Sequence, residues 1–226
     1  MTSLQAVYFD LDGTLIDTAP DFYSVLNNLL AEHGRPAVSY AAVRANVSNG
    51  ARALTELGFG LGPEDDAFDN YLNQLLDAYA GHLAVDTRLF EGMADTLDWL
   101  DQHDLPWGIV TNKPERFTLP VLEGLGLATR VGAVICPDHV RQSKPAPEGL
   151  LMAAGRDGVN PVACLYVGDH LRDIQAGKNA GMATAVAAFG YIDADDDPHG
   201  WQADHLLERG EDLLPLLKTL TSGSLT

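Results

Sequence analysis

The chain predicts an α/β protein, a parallel sheet with crossover helices that is interrupted near its start by a helical block. Three observations lead there. Short apolar runs rich in β-branched and aromatic residues occur at Ala6–Phe9, Trp107–Val110 and Cys164–Val167. Each ends in a polar cluster, as buried strands of a parallel sheet do. After Thr111 strand-like and helix-like stretches alternate, whereas between Leu15 and Asp86 the strand signal disappears.

Taken in order, Ala6–Phe9 runs into Asp10-Leu11-Asp12-Gly13-Thr14. Two carboxylates therefore leave the carboxyl end of a strand, where open α/β sheets bind ligands. Gly13 lets the backbone approach a ligand closely, and Thr14 offers a hydroxyl that can donate to a phosphate oxygen. The order suits attack by a carboxylate on phosphorus, with Asp10 as nucleophile. Asp12 would give a proton to the leaving alcohol and later take one from water. An isolated D-x-D-G is more often a plain turn, so the downstream partners decide.

The helical block comes next. Phe22, Val25, Leu26, Leu29 and Leu30 recur at helical spacing within Asp17–Gly34, with Pro20 near the start and Gly34 at the stop. Ser39–Val47 is a second helical stretch. Pro63–Leu83 is a third, through Phe68, Leu72, Leu75, Leu76 and Tyr79. Between them, Val47–Arg52 reads in two ways. It is a glycine-containing turn whose Asn49, Gly50 and Arg52 suit an anion such as a substrate carboxylate, or it is a helix start with an exposed arginine.

Downstream partners then appear in sequence. Trp107–Val110 ends in Thr111-Asn112-Lys113-Pro114. Thr111 can offer its hydroxyl and backbone N–H to a phosphate, beside Asn112, and Pro114 can begin a helix. Lys144, in Ser143-Lys144-Pro145, is a point charge of the kind that pairs with phosphate. Cys164–Val167 leads to Gly168-Asp169, placing Asp169 where it can share a cation with Asp10. Asp173, four residues on, lies on the same face of a helix starting there, able to hold Lys144 or a metal-bound water.

With these four motifs in order, the chain resembles the haloacid dehalogenase (HAD) superfamily of phosphotransferases over nearly its whole length. The resemblance implies a HAD-like Rossmannoid core at 1–15 and 87–226, with residues 16–86 inserted as a helical C1-type cap that closes over the site. It also implies Mg²⁺ held by Asp10, the backbone carbonyl of Asp12, and Asp169. A phosphate monoester is a dianion and Asp10 is an anion near neutral pH, so the attack needs that charge cancelled. Mg²⁺ does this with few carboxylates, because it keeps several waters. Thr111, Asn112 and Lys144 would hold the phosphoryl oxygens.

The cap turn, T-N-K-P and S-K-P are similar to the phosphoglycolate phosphatase branch. Cys136–Val140 and Gly190–Trp201 look more like the N-acetylmuramic acid 6-phosphate phosphatases of bacterial cell-wall recycling. The alternative substrate is 2-phosphoglycolate, which also joins a phosphate to a carboxylate. A sugar phosphomutase or a non-catalytic phosphometabolite-binding protein are weaker readings. A dehalogenase needs no acid at Asp12. The fourth motif carries His170 where the family often has serine, which leaves that residue open as a rim residue or a site residue.

Composition sets limits. The 226 residues suffice for one domain with an insertion, and 46% are hydrophobic, as in globular proteins. Lys and Arg number 14 against 32 Asp and Glu, a net charge of −18, which repels nucleic acid and anionic membranes and points to small phosphate esters as ligands. No apolar run reaches membrane-spanning length and no export segment is evident. The expectation is cytoplasmic, with Cys136 and Cys164 as buried free thiols. The histidines lack metal-ligand spacing, Trp99, Trp107 and Trp201 read as core, and Asp193–Asp197 reads as a solvated loop rather than a calcium loop. Thr221–Thr226 reads as a frayed end. Oligomeric state has no signal.

Overall fold

The computed structural model describes residues 3–192 and 196–222. In chain order these comprise β1 (Ala6–Phe9), β2 (Ile16–Asp17), α1 (Ala19–Glu32), α2 (Tyr40–Asn46), α3 (Gly50–Phe59), α4 (Phe68–Ala80), β3 (Arg88–Leu89) and α5 (Met93–Gln102). There follow β4 (Trp107–Val110), α6 (Glu115–Gly124), β5 (Val134–Ile135), α7 (Glu148–Asp157), β6 (Cys164–Gly168), α8 (Leu171–Ala180), β7 (Ala183–Ala187), β8 (His205–Leu207) and α9 (Leu213–Ser222).

Six strands form one parallel sheet in the order β5-β4-β1-β6-β7-β8. The chain moves outward from β1 through β4 to β5, then returns to the other side of β1 as β6. The strand order therefore reverses beside β1, which opens a crevice at the carboxyl ends of the central strands. Alternation along β1 explains the layers. Val7 and Phe9 pack under α5, α6 and α9 with Met93, Leu97, Val121 and Leu213. Ala6 and Tyr8 face α7 and α8 with Leu150, Ala153 and Ala176. A strand buried on both faces needs the uninterrupted apolar run seen in the sequence.

The helices α1–α4 build a second apolar cluster around Leu26, Leu30, Leu54, Leu75 and Tyr79, to which the sheet domain adds Phe117 and Tyr191. A two-stranded antiparallel ribbon joins this block to the sheet, pairing Ile16 with Leu89 and Asp17 with Arg88. Strands of two residues carry no readable alternation, which is why the sequence shows none there. Helix α3 follows the helix-start reading of Val47–Arg52, and only its extent to Phe59 carries no sequence signal. Gly50 and Gly58 near its ends are poor helix formers, and only Leu54, Thr55 and Phe59 are buried along it. Helix α4 begins at Phe68 rather than Pro63, because residues 62–65 form a turn in which Asp65 Oδ2 accepts the Gly62 N–H at 2.6 Å.

Of the expected solvated loop, Asp193–Asp195 lie outside the described residues. Asp196 accepts the Trp201 indole N–H at 3.0 Å, and Asp197 caps a short 3₁₀ turn. At the other end α9 runs through Ser222, so Thr221 and Ser222 are helical rather than frayed; 223–226 lie outside the described residues. Among the described residues no helix is long and apolar enough to cross a membrane. Both cysteines are buried and unpaired, and burial pushes each thiol up to about 11.

Candidate active site

Three strand ends bring the polar residues together: Asp10 follows β1, Thr111 follows β4 and Asp169 follows β6. Lys144 reaches them from the loop between β5 and α7. Its ammonium lies 2.9 Å from Asp10 Oδ1 and 2.7 Å from Asp173 Oδ1, and donates to Tyr166 Oη at 2.9 Å. Burial works against this charge, yet Asp10 and Asp173 hold its pKa above the usual lysine value. Asp173 stands in the first turn of α8 and also accepts the His170 backbone N–H at 3.0 Å. The His170 ring in turn accepts the Arg172 N–H at 3.1 Å. His170 is thus a helix cap, and burial lowers its pKa.

Asp169 is buried differently. It accepts hydrogen bonds from Thr14 Oγ1 (3.0 Å), the Tyr191 N–H (2.8 Å) and Ser48 Oγ (3.3 Å), all neutral donors. Burial, then the charges of Asp10 and Asp173, push its carboxyl up to about 7. Carboxylate oxygens of Asp10, Asp169 and Asp173 lie within 4.8 Å of one another. Lys144 neutralises one side of this group and nothing cationic faces Asp169 among the described residues. Hard oxygen donors with uncompensated negative charge fit a divalent cation of the magnesium kind.

Two expected phosphate donors are engaged elsewhere. The Thr111 N–H bonds the Ile135 carbonyl at 3.0 Å as part of the sheet edge, and the Thr14 hydroxyl is held by Asp169. Thr111 keeps its hydroxyl proton, since that oxygen accepts the Lys113 N–H at 3.2 Å. Asn112 donates to the Lys144 carbonyl at 3.3 Å and tethers the two loops, while its buried Oδ1 has no partner among the described residues.

A cavity of about 410 Å³ opens above Asp10 and Asp12. Thr111 and Asn112 line its floor, and Phe22, Leu72, Leu76, Tyr79 and Phe117 give it apolar walls. Asn49, Gly50 and Arg52 all line it too. Val47–Asn49 is a 3₁₀ turn and Gly50 opens α3, so Arg52 occupies a first helical turn, exposed, with its guanidinium 5.2 Å from the Phe68 ring centre. The geometry of the helix-start reading and the pocket-facing position of the anion-site reading therefore coexist.

Sequence reasoning missed three cations at this cavity, Lys113, Arg116 and Arg172. Arg172 donates to the Ser48 carbonyl, and Arg44 donates to the Phe189 carbonyl at 2.8 Å, so both fasten the helical block to the sheet domain. Lys113 donates to both Asp12 oxygens, at 3.1 and 3.2 Å, and to Tyr79 Oη at 2.9 Å. Its position next to Asn112 in the T-N-K-P run was the available signal. Tyr79 was legible only as a helical core residue.

A sheet that presents clustered carboxylates and a buried lysine at its central strand ends, under a helical block, defines a hydrolase of the HAD kind. Residues 7–187 match the family profile of haloacid dehalogenase-like hydrolases, and the chain belongs to that family. It is 44% identical over 220 residues to the N-acetylmuramic acid 6-phosphate phosphatase of Pseudomonas putida, covering 97% of this chain and 99% of the relative. It is 42% identical over 205 residues to a phosphoglycolate phosphatase of Xanthomonas campestris pv. campestris, covering 91% and 92%. The crystal structure of a predicted phosphoglycolate phosphatase from Haemophilus somnus superposes with a TM-score of 0.83 at 26% identity, covering 96% of this chain and 99% of that one. Through this family and these relatives, the chain is a phosphoric monoester hydrolase.

Proposed function

We propose that this enzyme is a magnesium-dependent phosphatase of N-acetylmuramic acid 6-phosphate, acting through an aspartyl-phosphate on Asp10. The observation that carries the chemistry is the buried ammonium of Lys144 bridging Asp173 to Asp10, the carboxylate that lines the cavity. Lys144 offsets the charge of the incoming phosphate dianion beside the nucleophile, and it holds the Asp10 oxygen in place. The Thr111 hydroxyl and Asn112 supply neutral donors to the phosphoryl oxygens. Asp10 forms the bond to phosphorus as the bond to the sugar oxygen breaks. Asp12 delivers its proton to that oxygen, and then accepts one from the water that releases inorganic phosphate. Asp10, Asp169 and the backbone carbonyl of Asp12 would hold Mg²⁺, which supplies charge neutralisation on the phosphoryl group.

Residues 16–86 act in this reading as the cap over the site, with Asn49, Gly50 and Arg52 facing the non-phosphate end of the substrate. The cavity supports the larger of the two acids. About 410 Å³ lies within the range of drug-sized ligand pockets, and its apolar walls suit a sugar ring with acetyl and lactyl methyl groups better than a two-carbon acid. The identity to the Pseudomonas putida relative along nearly the whole chain supports the same substrate. Buried free thiols agree with a reducing cytoplasm, where a sugar acid released from cell wall would be recycled.

The test is phosphate release from N-acetylmuramic acid 6-phosphate and 2-phosphoglycolate, with magnesium and with chelator. A preference of at least about tenfold in kcat/KM for the muramic compound is expected, equivalent to about 1.4 kcal/mol. A reverse preference of that size would overturn the substrate and leave the phosphatase standing. Full activity in excess chelator would remove magnesium from the scheme.

A further inference from the structure

Lys113 has no part in the roles just given, yet it is one of the most deliberately placed side chains of the molecule. It is only 8% exposed. Its ammonium spans both Asp12 oxygens and Tyr79 Oη. It also lies 4.7 Å from the Tyr79 ring centre and 5.3 Å from that of Phe22. Those two rings stack with centroids 3.9 Å apart. Thr18 Oγ1 donates to the same Asp12 Oδ1 at 2.7 Å. The Asp12 carboxylate is therefore fixed from two directions, by Thr18 at the start of α1 and by Lys113 from the end of β4.

The partners of Lys113 belong to different parts of the fold. Asp12 and Lys113 sit on the sheet domain, while Tyr79 and Phe22 come from α4 and α1 of the helical block. An ammonium in such a place is costly to desolvate, and an apolar side chain of the same length would pack against the rings more cheaply. What an apolar residue could not do is orient a carboxylate. Lys113 gives Asp12 a bifurcated, charge-assisted contact that fixes the plane of the group, and Tyr79 grips the other side of the same ammonium.

We propose that Lys113 is a positioning residue for Asp12, aligned by Tyr79, so that Asp12 faces the leaving oxygen only while the helical block covers the site. This rests on the reading of Asp12 as the proton donor in phosphoryl transfer. In that step Asp12, held through Oδ1 by Lys113 and Thr18 and protonated on Oδ2, gives that proton to the ester oxygen as the P–O bond to the alcohol breaks, and Lys113 keeps its own protons throughout.

Leaving-group dependence separates this role from a strut or a phosphate ligand. The ester oxygen of a sugar 6-phosphate leaves as a poor alkoxide unless protonated, whereas p-nitrophenolate departs without an acid. The parameter to compare is kcat/KM, which covers steps up to departure of the alcohol. Lys113→Met should lower kcat/KM for an alkyl phosphate by about a hundredfold or more, within the usual contribution of a general acid, and for p-nitrophenyl phosphate by less than about fivefold. Tyr79→Phe, which keeps the ring and removes only the grip, should show the same selectivity at about tenfold on the alkyl ester. Melting curves show whether each variant folds, and Tyr79→Phe decides if Lys113→Met does not. Equal losses on both esters, or no loss on either, would overturn the proposal while the wild type remains a phosphatase. Absence of phosphate release by the wild type from both esters would overturn the phosphatase reading and this inference with it.

Discussion

Gly13 and Asp169 are in contact through space that no side chain could share. A β-carbon at position 13 would stand 2.1 Å from Asp169 Oδ2, and the backbone there has φ +81°. Glycine is needed twice over, for the left-handed turn and for the approach of the Asp10–Thr14 loop to the carboxylate.

Gly13→Ala should therefore displace Asp169 and distort the loop that carries Asp10 and Asp12. The left-handed conformation alone costs a β-carbon about 1–2 kcal/mol. A displacement of reacting groups by about 1 Å is worth about a hundredfold in rate. We expect a folded protein whose kcat/KM falls at least that far, measured beside its melting temperature. Near-normal turnover in a folded Gly13→Ala protein would show that the Gly13–Asp169 contact does not position the site.

Asp169 also ties stability to pH. Its carboxyl titrates near 3.8 when unperturbed and about 7 in the folded chain without metal, raised by burial and then by Asp10 and Asp173. Below the lower value it is protonated in both folded and unfolded chains and carries no penalty. Between the two values the unfolded chain alone gains by ionising, so stability contributed by this group is lost as pH rises through about 7. A divalent cation would compensate the charge. Magnesium should accordingly raise the melting temperature more at pH 7.5 than at pH 5, and Asp169→Asn should flatten the difference. A magnesium-induced shift independent of pH would contradict it.

The parts of this molecule legible in sequence are those where physics acts locally. Ala6–Phe9, Trp107–Val110 and Cys164–Gly168 are buried on both faces, so every residue had to be apolar, and the polar residues after them had to lie at strand ends. What stayed hidden depends on contacts between distant segments. Nothing local to T-N-K-P says that Lys113 meets Asp12 and Tyr79, which come from positions 101 and 34 residues away. The Thr111 N–H looked available because its partner, the Ile135 carbonyl, sits on a strand of two residues. The length of helix α3 beyond its start stayed hidden because glycines near its ends weaken its local preference, while packing against α4 and α1 supplies its stability.

Asp21 supports the join between the helical block and the sheet domain. Fully buried in the first turn of α1, it accepts the Val85 and Asp86 N–H groups at 3.2 and 2.7 Å and the Thr87 hydroxyl at 2.6 Å. Asp21→Ala would leave the buried Thr87 hydroxyl and two part-buried backbone N–H groups without their acceptor just before β3. The expected loss is about 2–4 kcal/mol in urea unfolding, given the strength of hydrogen bonds to charged acceptors. A loss below about 1 kcal/mol would mean that water replaces the carboxylate there.

Asp10→Asn removes the proposed nucleophile while keeping its volume. Lys144 retains Asp173 as a charged partner, 2.7 Å away, so the fold should survive, with a melting temperature at or above that of the wild type. Turnover should vanish. A purified variant with more than about a hundredth of wild-type activity would refute covalent attack by Asp10, because an amide at this position cannot form the aspartyl-phosphate.

Arg52 tests the proposed recognition of a carboxylate on the substrate. It lines the cavity, exposed, with a cation–π contact to Phe68 and no ion pair among the described residues. A carboxylate entering the cavity would meet an available guanidinium there. Arg52→Ala should reduce kcat/KM for N-acetylmuramic acid 6-phosphate by about one to two decades, the worth of a charge-assisted hydrogen bond of about 1.5–3 kcal/mol. For p-nitrophenyl phosphate, which has no carboxylate to lose, the change should stay small. Equal losses on the two esters would assign Arg52 to the structure of α3 or to the phosphate instead. Arg116 faces the same cavity from α6. If Arg116→Ala, and not Arg52→Ala, produced the selective loss, the acid group would be read from the sheet domain rather than from the helical block.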